Sequence, residues 1–483
     1  MRALARDAAA RYRSAEDFRD AVGGLGGTRA SWSVPGRVPG HGNGAVLDQS
    51  LAVLPFECGD GDCESEYFCD GLADEIITGL SAVRSLRVIC SSSSLRLKGR
   101  KDSPLALAEE LHVRNLLRGT VWLKRDAHAA TALRVNVQLV DPHDDCILWG
   151  GKHRGTLEDV FSIQENISRE IVDALRLKLS PTEEKQIAAR PLPEVHAYQF
   201  YLQAKHEILR YTQDALERAL VLLAKGEALV GANALLLAAK GQVYWQFLNA
   251  GISSDPQYLD KAKECAVQAA ALDPESAHAM RLLGLIALQE GDTQRSVRLL
   301  KKCITLDPND SDSLSWYCAL CALSGKSYAA MPHARRITAI DPLTPIYRFI
   351  PGLVALMNGD FDEALTPFDE AIAIDPTNAM LLWSRGQILA MCGRHAGAIE
   401  IFEGLQRSHP EEFFAKLGGF LAAALQGETS LAEARATPDL SERVASDPHF
   451  SWAMAQVLPC SINPSLSCTG SAMRSIGASS TTP

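Results

Sequence analysis

Four groups of residues in this 483-residue chain have the makings of a reactive site. Asp70, Asp74 and Glu75 lie close together in a segment with helical periodicity, and paired carboxylates can serve as acid and base. Asp70 and Asp74 are four residues apart and share a helix face, but the sequence pairs them with no nucleophile, histidine or metal ligand. A solvated helix face in favourable contact with the helix dipole accounts for them more simply. Cys318 and Cys321 have a C-x-x-C spacing, yet no second such pair and no histidine pair completes a zinc site, so they read as packing residues of a helix. Cys58, Cys63 and Cys69 flank Asp60, Asp62, Glu64 and Glu66. A calcium loop needs its glycine and closing glutamate at other offsets, which leaves a loop of solvated charge. Gly23-Gly24-Leu25-Gly26-Gly27 has no preceding strand and no following Lys-Ser/Thr, so it reads as a flexible linker rather than a phosphate loop. No catalytic, metal-binding or cofactor-binding residue is expected.

Composition points to several domains in a chain that is not exported. The twelve cysteines are scattered and read as free thiols, and the length suits roughly three domains. Lys plus Arg is 48 and Asp plus Glu is 58, a net charge of −10 that argues against whole-chain attraction to nucleic acid or anionic lipid, a local basic patch aside. No apolar run approaches the roughly 18 residues of a membrane span, and the N-terminus lacks the apolar core of a signal peptide. A cytoplasmic protein with no nucleic-acid or membrane partner is expected.

The elements that position these residues announce themselves by a period. Asp273-Pro274, Asp307-Pro308, Asp341-Pro342, Asp375-Pro376 and His409-Pro410 follow one another at 34-residue intervals. That is the length of one tetratricopeptide helix-turn-helix unit, which buries its apolar face only by stacking on its neighbours. With each proline at position 32, Gly284, Gly352 and Gly386 fall at position 8, and Ala262, Ala330, Ala364 and Ala398 at position 20, where two helices touch. Leu300, Phe368 and Phe402 fall at position 24. The unit 234–276 holds Gly241 and Ala262 about nine residues too far apart, read as a longer inter-helix turn around 251–258. About six repeats are expected over 194–426, then a decaying seventh pair and an aberrant or disordered tail over 427–483, for which a frameshift or early stop is an alternative. Ser446 to Leu458 looks like the start of another repeat.

Positions 2, 5, 9 and 12 of each unit face the concave groove of such an array. Here they include His278, Arg281, Phe349, Leu353, Met380, Trp383 and Gln387, the candidate surface for a protein or peptide partner. Were Trp383 a central anchor, Trp383→Ala would weaken capture of an extended apolar segment by a few kcal/mol.

Upstream of the repeats, residues 48–180 read as an α/β or α+β unit. Leu51 to Phe56 is a continuous apolar strand covered on both faces, Leu86 to Cys90 a second strand, and Ser91 to Ser94 a turn. Thr131 to Val140 alternates as a half-exposed antiparallel strand paired with Asn115 to Lys124 and Cys146 to Trp149. Helices follow from Phe68, Leu72, Ile76 and Leu80, from Pro104 to about Leu111, and from Val160, Ile163, Ile167, Ile171 and Leu175. The stretches LAVLPF at Leu51, EYFCDGLADEIITGLS at Glu66, LRVICSSS at Leu86, LAEELHVRNLLRGTV at Leu107, RVNVQLVDPHDDCILW at Arg134 and DVFSIQENISREIVDAL at Asp159 resemble, in order, the domain similar to the amino-terminal part of the Tol-system protein TolB. Arg118, usually acidic in that family, and the Cys-rich acidic loop at 57–65 depart from it.

The first 22 residues carry a second resemblance. Leu4, Asp7, Arg11, Tyr12, Ser14, Ala15 and Asp17 match the segment that closes bacterial serine/threonine protein kinase domains, with Ala8 in place of a proline. That resemblance implies an ion-pairing structural role for Arg11, with a glutamate this chain lacks. A Gly- and Pro-rich linker occupies 23–47. The chain has no Gly-rich phosphate loop, strand lysine, H-R-D or D-F-G. It therefore reads as a TolB-like α/β domain followed by an all-α tetratricopeptide superhelix, a non-catalytic signalling scaffold. The alternative is the C-terminal fragment of a serine/threonine kinase whose catalytic domain lies upstream, after a late start or gene break. Service to a cyclase or transcription factor is a third reading, against which the kinase-like tail argues.

Overall fold

A computed structural model of the chain describes residues 49–444, apart from short breaks such as 60–62 and 127–128. The kinase-like segment with Arg11, the linker, the repeat-like stretch at 446–458 and the tail after it lie outside the described residues. The chain divides into two compact units, with the boundary between Ile388 and Leu389.

Six strands form one mixed sheet: β1 (Ser50–Val53), β2 (Glu57–Cys58), β3 (Arg87–Val88), β4 (Asn115–Asp126), β5 (Ala129–Asp141) and β6 (Cys146–Thr156). Their order is β3-β1-β4-β5-β6, with β2 also paired to β4. β1 runs parallel to β3 and β4, while β4, β5 and β6 form an antiparallel meander in which Val135 faces Val121 on one side and His153 on the other. Leu133, Val135, Val137 and Leu139 are buried and Arg134 is exposed, the alternation expected of a sheet with one covered face. The apolar run expected as a strand to Phe56 ends its strand at Val53, and a separate two-residue strand follows the run. Pro55 has no N–H to donate, so the chain leaves the ladder after Val53 and rejoins β4 at Glu57, opposite Thr120.

Both faces of β1 are covered. Leu51 and Val53 join the core formed with α1 (Cys63–Ser81) and α4 (Val160–Ala174), while Ala52 joins a second core. The serine run expected as a turn is a short helix, α2 (Ser91–Leu95). The second core is built on α3 (Pro104–Leu111), which starts at Pro104 with the Ser103 hydroxyl accepting from the Ala106 N–H at 3.2 Å. A short helix, α5 (Pro181–Ile187), leads to the array.

Seven helix pairs follow among the described residues: α6 (Val195–Ile208) and α7 (Gln213–Val230), α8 (Ala234–Asn249) and α9 (Gln257–Leu272), α10 (Ala277–Gln289) and α11 (Thr293–Leu306), α12 (Ser311–Leu323) and α13 (Ser327–Ile340). The fifth pair has a divided first helix, α14 (Pro345–Arg348) and α15 (Ile350–Asn358), before α16 (Phe361–Ile374). Pro351 is the cause, since it lacks an N–H and its ring crowds the carbonyl one turn earlier. The sixth pair is α17 (Ala379–Met391) and α18 (His395–Ser408), and the seventh α19 (Phe413–Gln426) and α20 (Thr429–Arg435).

Two ladders punctuate these pairs. At the rungs 273, 307, 341, 375 and 409 the backbone N–H closes the last turn of a second helix on the carbonyl four residues back, and the proline forbids continuation. A second ladder ends the first helices: Gly291, Gly325, Gly359, Gly393 and Gly427 all have positive φ, from 70° to 89°. After each glycine the next N–H reaches the carbonyl five residues back, as Asp292 N reaches Ala287 O at 2.8 Å, satisfying a carbonyl that the helix end leaves open. The longer unit 234–276 is not lengthened in its turn alone. Its first helix has 16 residues against 13 in α10, and the connection spans 250–256 against 290–292. Gly241 nevertheless meets Ala262, whose carbonyl would lie 3.1 Å from an added Cβ.

At Gly352, also position 8, an added Cβ would come within 2.9 Å of the Ala364 carbonyl and 2.8 Å of the Phe368 ring. Gly352→Ala is therefore expected to lower unfolding free energy by about 1–3 kcal/mol. Gly404→Ala, in a helix with open space around that position, is expected to raise it by up to about 1 kcal/mol. Urea titrations of the two variants should move in opposite directions.

Candidate functional site

The sheet layer and the array meet at one rung of the proline ladder. At Asp273 and Asp307 the carboxylate accepts from the N–H two residues on, at 3.0 Å in each case. At Asp341 a serine from the sheet layer is inserted into that turn. The N–H of Leu343 donates to Ser93 Oγ at 2.9 Å, and Ser93 Oγ donates to Asp341 Oδ1 at 2.6 Å. Ser92 Oγ donates to the other carboxylate oxygen, and Thr344 Oγ1 donates to Oδ1 at 2.7 Å. Asp341 is fully buried. Burial pushes its carboxyl up, an effect these hydroxyls oppose without cancelling.

Backbone contacts extend the junction. Cys90 N–H donates to Ile340 O at 2.7 Å, Arg87 Nη1 to Ala339 O at 2.7 Å, and Asn309 Nδ2 to Ser81 O at 3.1 Å. Apolar groups cross in both directions: Leu343 enters the core under α3, and Cys90 packs against the array core around Leu314 and Tyr317.

Two of the carboxylates singled out on α1, Asp74 and Glu75, also face the array. Asp74 pairs with Lys205 of α6 at 2.6 Å, while Asp70 pairs with Lys98 at 2.7 Å. Burial would raise Asp74, but Lys205 outweighs it and holds the carboxyl below its ordinary range. Glu75 shows the opposite balance. Burial and the adjacent Asp74 charge raise it to about 7, against Lys205, Gln164 and Tyr198. Asp74 and Glu75 thus join the two layers, a structural use of charge, and the Ser91 hydroxyl is bonded to Asp74 as part of that junction.

His278 and Arg281, expected to line a partner groove, lie in the same hollow. His278 is open to water, yet the protein crowded around it and the nearby Arg281 push its imidazole down, leaving it neutral at pH 7. Arg281 is committed to the next repeat. Its Nη1 reaches Asp310 at 2.7 Å and Asp312 at 3.7 Å, and Asp310 in turn caps α12 through the Ser313 N–H at 2.8 Å. Tyr347 donates to Asp312 at 2.6 Å, which continues the linkage into the following unit.

Phe349, Leu353 and Met380 are half-buried, with Phe349 stacked on Phe368 at 5.3 Å between ring centroids. Trp383 is 1 % exposed and Gln387 fully buried. In this conformation neither presents surface to a partner, so the first effect of truncating Trp383 falls on stability. Cys318 and Cys321 are buried thiols; burial raises both, Cys318 to about 12, which removes thiolate reactivity. Among the described residues no cluster of His, Cys, Asp or Glu is arranged to hold a metal ion, and no helix is long and apolar enough to cross a membrane. Arg118 is exposed and bonded to Gln138 at 3.1 Å.

The Tetratricopeptide repeat family profile matches residues 259–311, 324–379 and 352–413, so the array is a tetratricopeptide repeat array. A protein named putative adenylate cyclase 3 from Rhizobium meliloti (strain 1021) is 38 % identical over 162 residues, 34 % of this chain and 27 % of that protein. The transcriptional regulator HilA of Salmonella typhimurium is 26 % identical over 212 residues, 44 % of this chain and 38 % of the regulator. The matched regions thus span between about a quarter and two-fifths of the curated relatives. A tetratricopeptide repeat protein from Parabacteroides merdae superposes with a TM-score of 0.39 at 16 % identity, covering 55 % of this chain and 100 % of the other.

Ser93→Ala removes a donor from buried Asp341 and strands the Leu343 N–H. The variant is expected to destabilise the junction by about 1–3 kcal/mol and to speed amide exchange selectively in 89–95 and 340–344, read by hydrogen–deuterium exchange. For Glu75, a folded-state value raised from 4.5 to about 7 means that its contribution is most favourable at low pH and is lost as pH rises through about 7. Thermal melts should decline between pH 5 and 8, and Glu75→Gln should flatten that decline.

Proposed function

We propose that this chain is a non-catalytic signalling scaffold, in which a TolB-like α/β domain is held against a tetratricopeptide array that captures a protein or peptide partner. The observation that carries this reading is the half-buried apolar stripe of Phe349, Leu353 and Met380, next to first helices whose charged residues face α1. An array of this kind works by presenting a continuous surface, and apolar side chains at recurring positions suit an extended or helical segment. His278 and Arg281 form the polar end of the proposed surface, and Trp383 and Gln387 its enclosed support. The binding role is protein recognition in the cytoplasm, without nucleic acid, membrane or cofactor.

The two kinds of curated relative are named for different activities, cyclase and transcriptional regulator. This supports a regulatory region interchangeable among output domains. The second reading, a C-terminal fragment of a serine/threonine kinase, is favoured by the match from Leu4 to Asp17. The nucleotides upstream of Met1 test it: H-R-D and D-F-G in frame support it, and their absence removes it.

For partner capture, the full chain and its Leu353→Asp variant serve as baits in parallel affinity purifications. A partner retained by the wild type and lost at least tenfold from the variant, with the melting temperature shifted little, supports the groove. Equal recovery sinks it. Trp383→Ala is expected to lower stability by about 3–5 kcal/mol, visible in denaturant titration before any binding assay.

A further inference from the structure

At the outer rim of the junction, strand β3 and helix α13 enclose a cleft of about 480 Å³. Its polar lining is Gln49, Arg84, Ser85, Arg87, Asn309 and Arg336, and no acidic residue contributes to it. Three arginines thus line one cleft in a chain with a net charge of −10. Among the described residues none of the three has a carboxylate within ion-pair distance. Arg87 spends its two terminal nitrogens on the carbonyls of Ala339 and His112, and its Nε is buried without a hydrogen-bond partner. Arg336 donates to the amide oxygen of Asn309 at 2.8 Å, a neutral acceptor. Nearby carboxylates are directed elsewhere: Glu183 accepts from the backbone N–H of Arg84 and caps α5, and Asp307 accepts from the Asn309 N–H.

Unpaired arginines on a surface ordinarily point apart into water. Here docking itself brings them together, since Arg84 and Arg87 belong to the sheet layer and Arg336 to the array. Like charges gathered on a cleft of this size raise the local positive potential and favour an anion that bridges them. Planar guanidinium forks match phosphate oxygens two at a time, and the buried side chains of Leu86 and Ile340 add an apolar wall for a non-phosphate portion. The volume falls within the range of small-molecule sites.

We propose that this cleft binds a small molecule bearing a di- or triphosphate, and that the bound anion ties the sheet layer to the array. Arg84 from the sheet layer and Arg336 from the array present separate guanidinium groups, and Arg87 adds its charge while its own fork is engaged, so the site favours a polyphosphate over one inorganic phosphate. The inference stands on the junction alone and is independent of which partner the groove takes.

Isothermal titration of the full chain with ATP, pyrophosphate and inorganic phosphate, at constant ionic strength in chloride, tests it. ATP or pyrophosphate is expected to bind with one site per chain and to raise the melting temperature, with inorganic phosphate at least tenfold weaker. The double variant Arg84→Gln, Arg336→Gln changes two exposed side chains and leaves the structural Arg87 in place. It is expected to lose at least tenfold in affinity, while its ligand-free melting temperature stays the same or rises as repulsion is relieved. Absence of saturable binding by every probe, equal affinity for inorganic phosphate, or undiminished binding by the double variant would each overturn the proposal.

Discussion

The junction at Asp341 is the constraint on which the larger compact unit depends. An aspartate before proline is a routine way to end a helix, because its carboxylate satisfies an N–H that the turn leaves free. At this rung the N–H of Leu343 is satisfied by Ser93 from the sheet layer instead, and the carboxylate accepts from that serine. A local turn has become an interdomain bond. Once Asp341 is buried, loss of either partner leaves an orphaned polar group, so the two layers are coupled by the penalty of separation as much as by attraction.

That coupling changes the meaning of the charges nearby. Asp74 and Glu75 on α1 invite an acid–base reading because two carboxylates with divergent proton affinities are what such chemistry requires. In the fold, the divergence arises from Lys205, which lies 2.6 Å from Asp74, and from the burial of Glu75 beside that same Asp74. The residues that accomplish this belong to a helix more than a hundred positions away. Arg281 is likewise committed within the fold, to Asp310, a cap of the next repeat and not an external ligand.

Much of the fold was legible because repeats impose local rules. The prolines mark the end of second helices, and small residues such as Gly352 mark where helices touch, since a Cβ there meets the Ala364 carbonyl. The glycines from 291 to 427 carry the same period, and positive φ is their reason. The proposed groove was less legible. Position within a repeat indicates which face a residue occupies, but Trp383 and Gln387 are enclosed while His278 is open to water, and that difference depends on what packs around each.

Sequence alone therefore determined the period, the ends of the second helices and the alternation of β5, because each follows from backbone geometry and patterning over a few residues. Only the tertiary structure decided the use of the serine run at 91–94, the partners of Asp74 and Arg281, and the gathering of Arg84, Arg87 and Arg336 on one cleft. Those outcomes depend on pairs from different elements, as far apart in sequence as Ser93 and Asp341. No local rule links them; burial and the need to satisfy polar groups in a shared interior do.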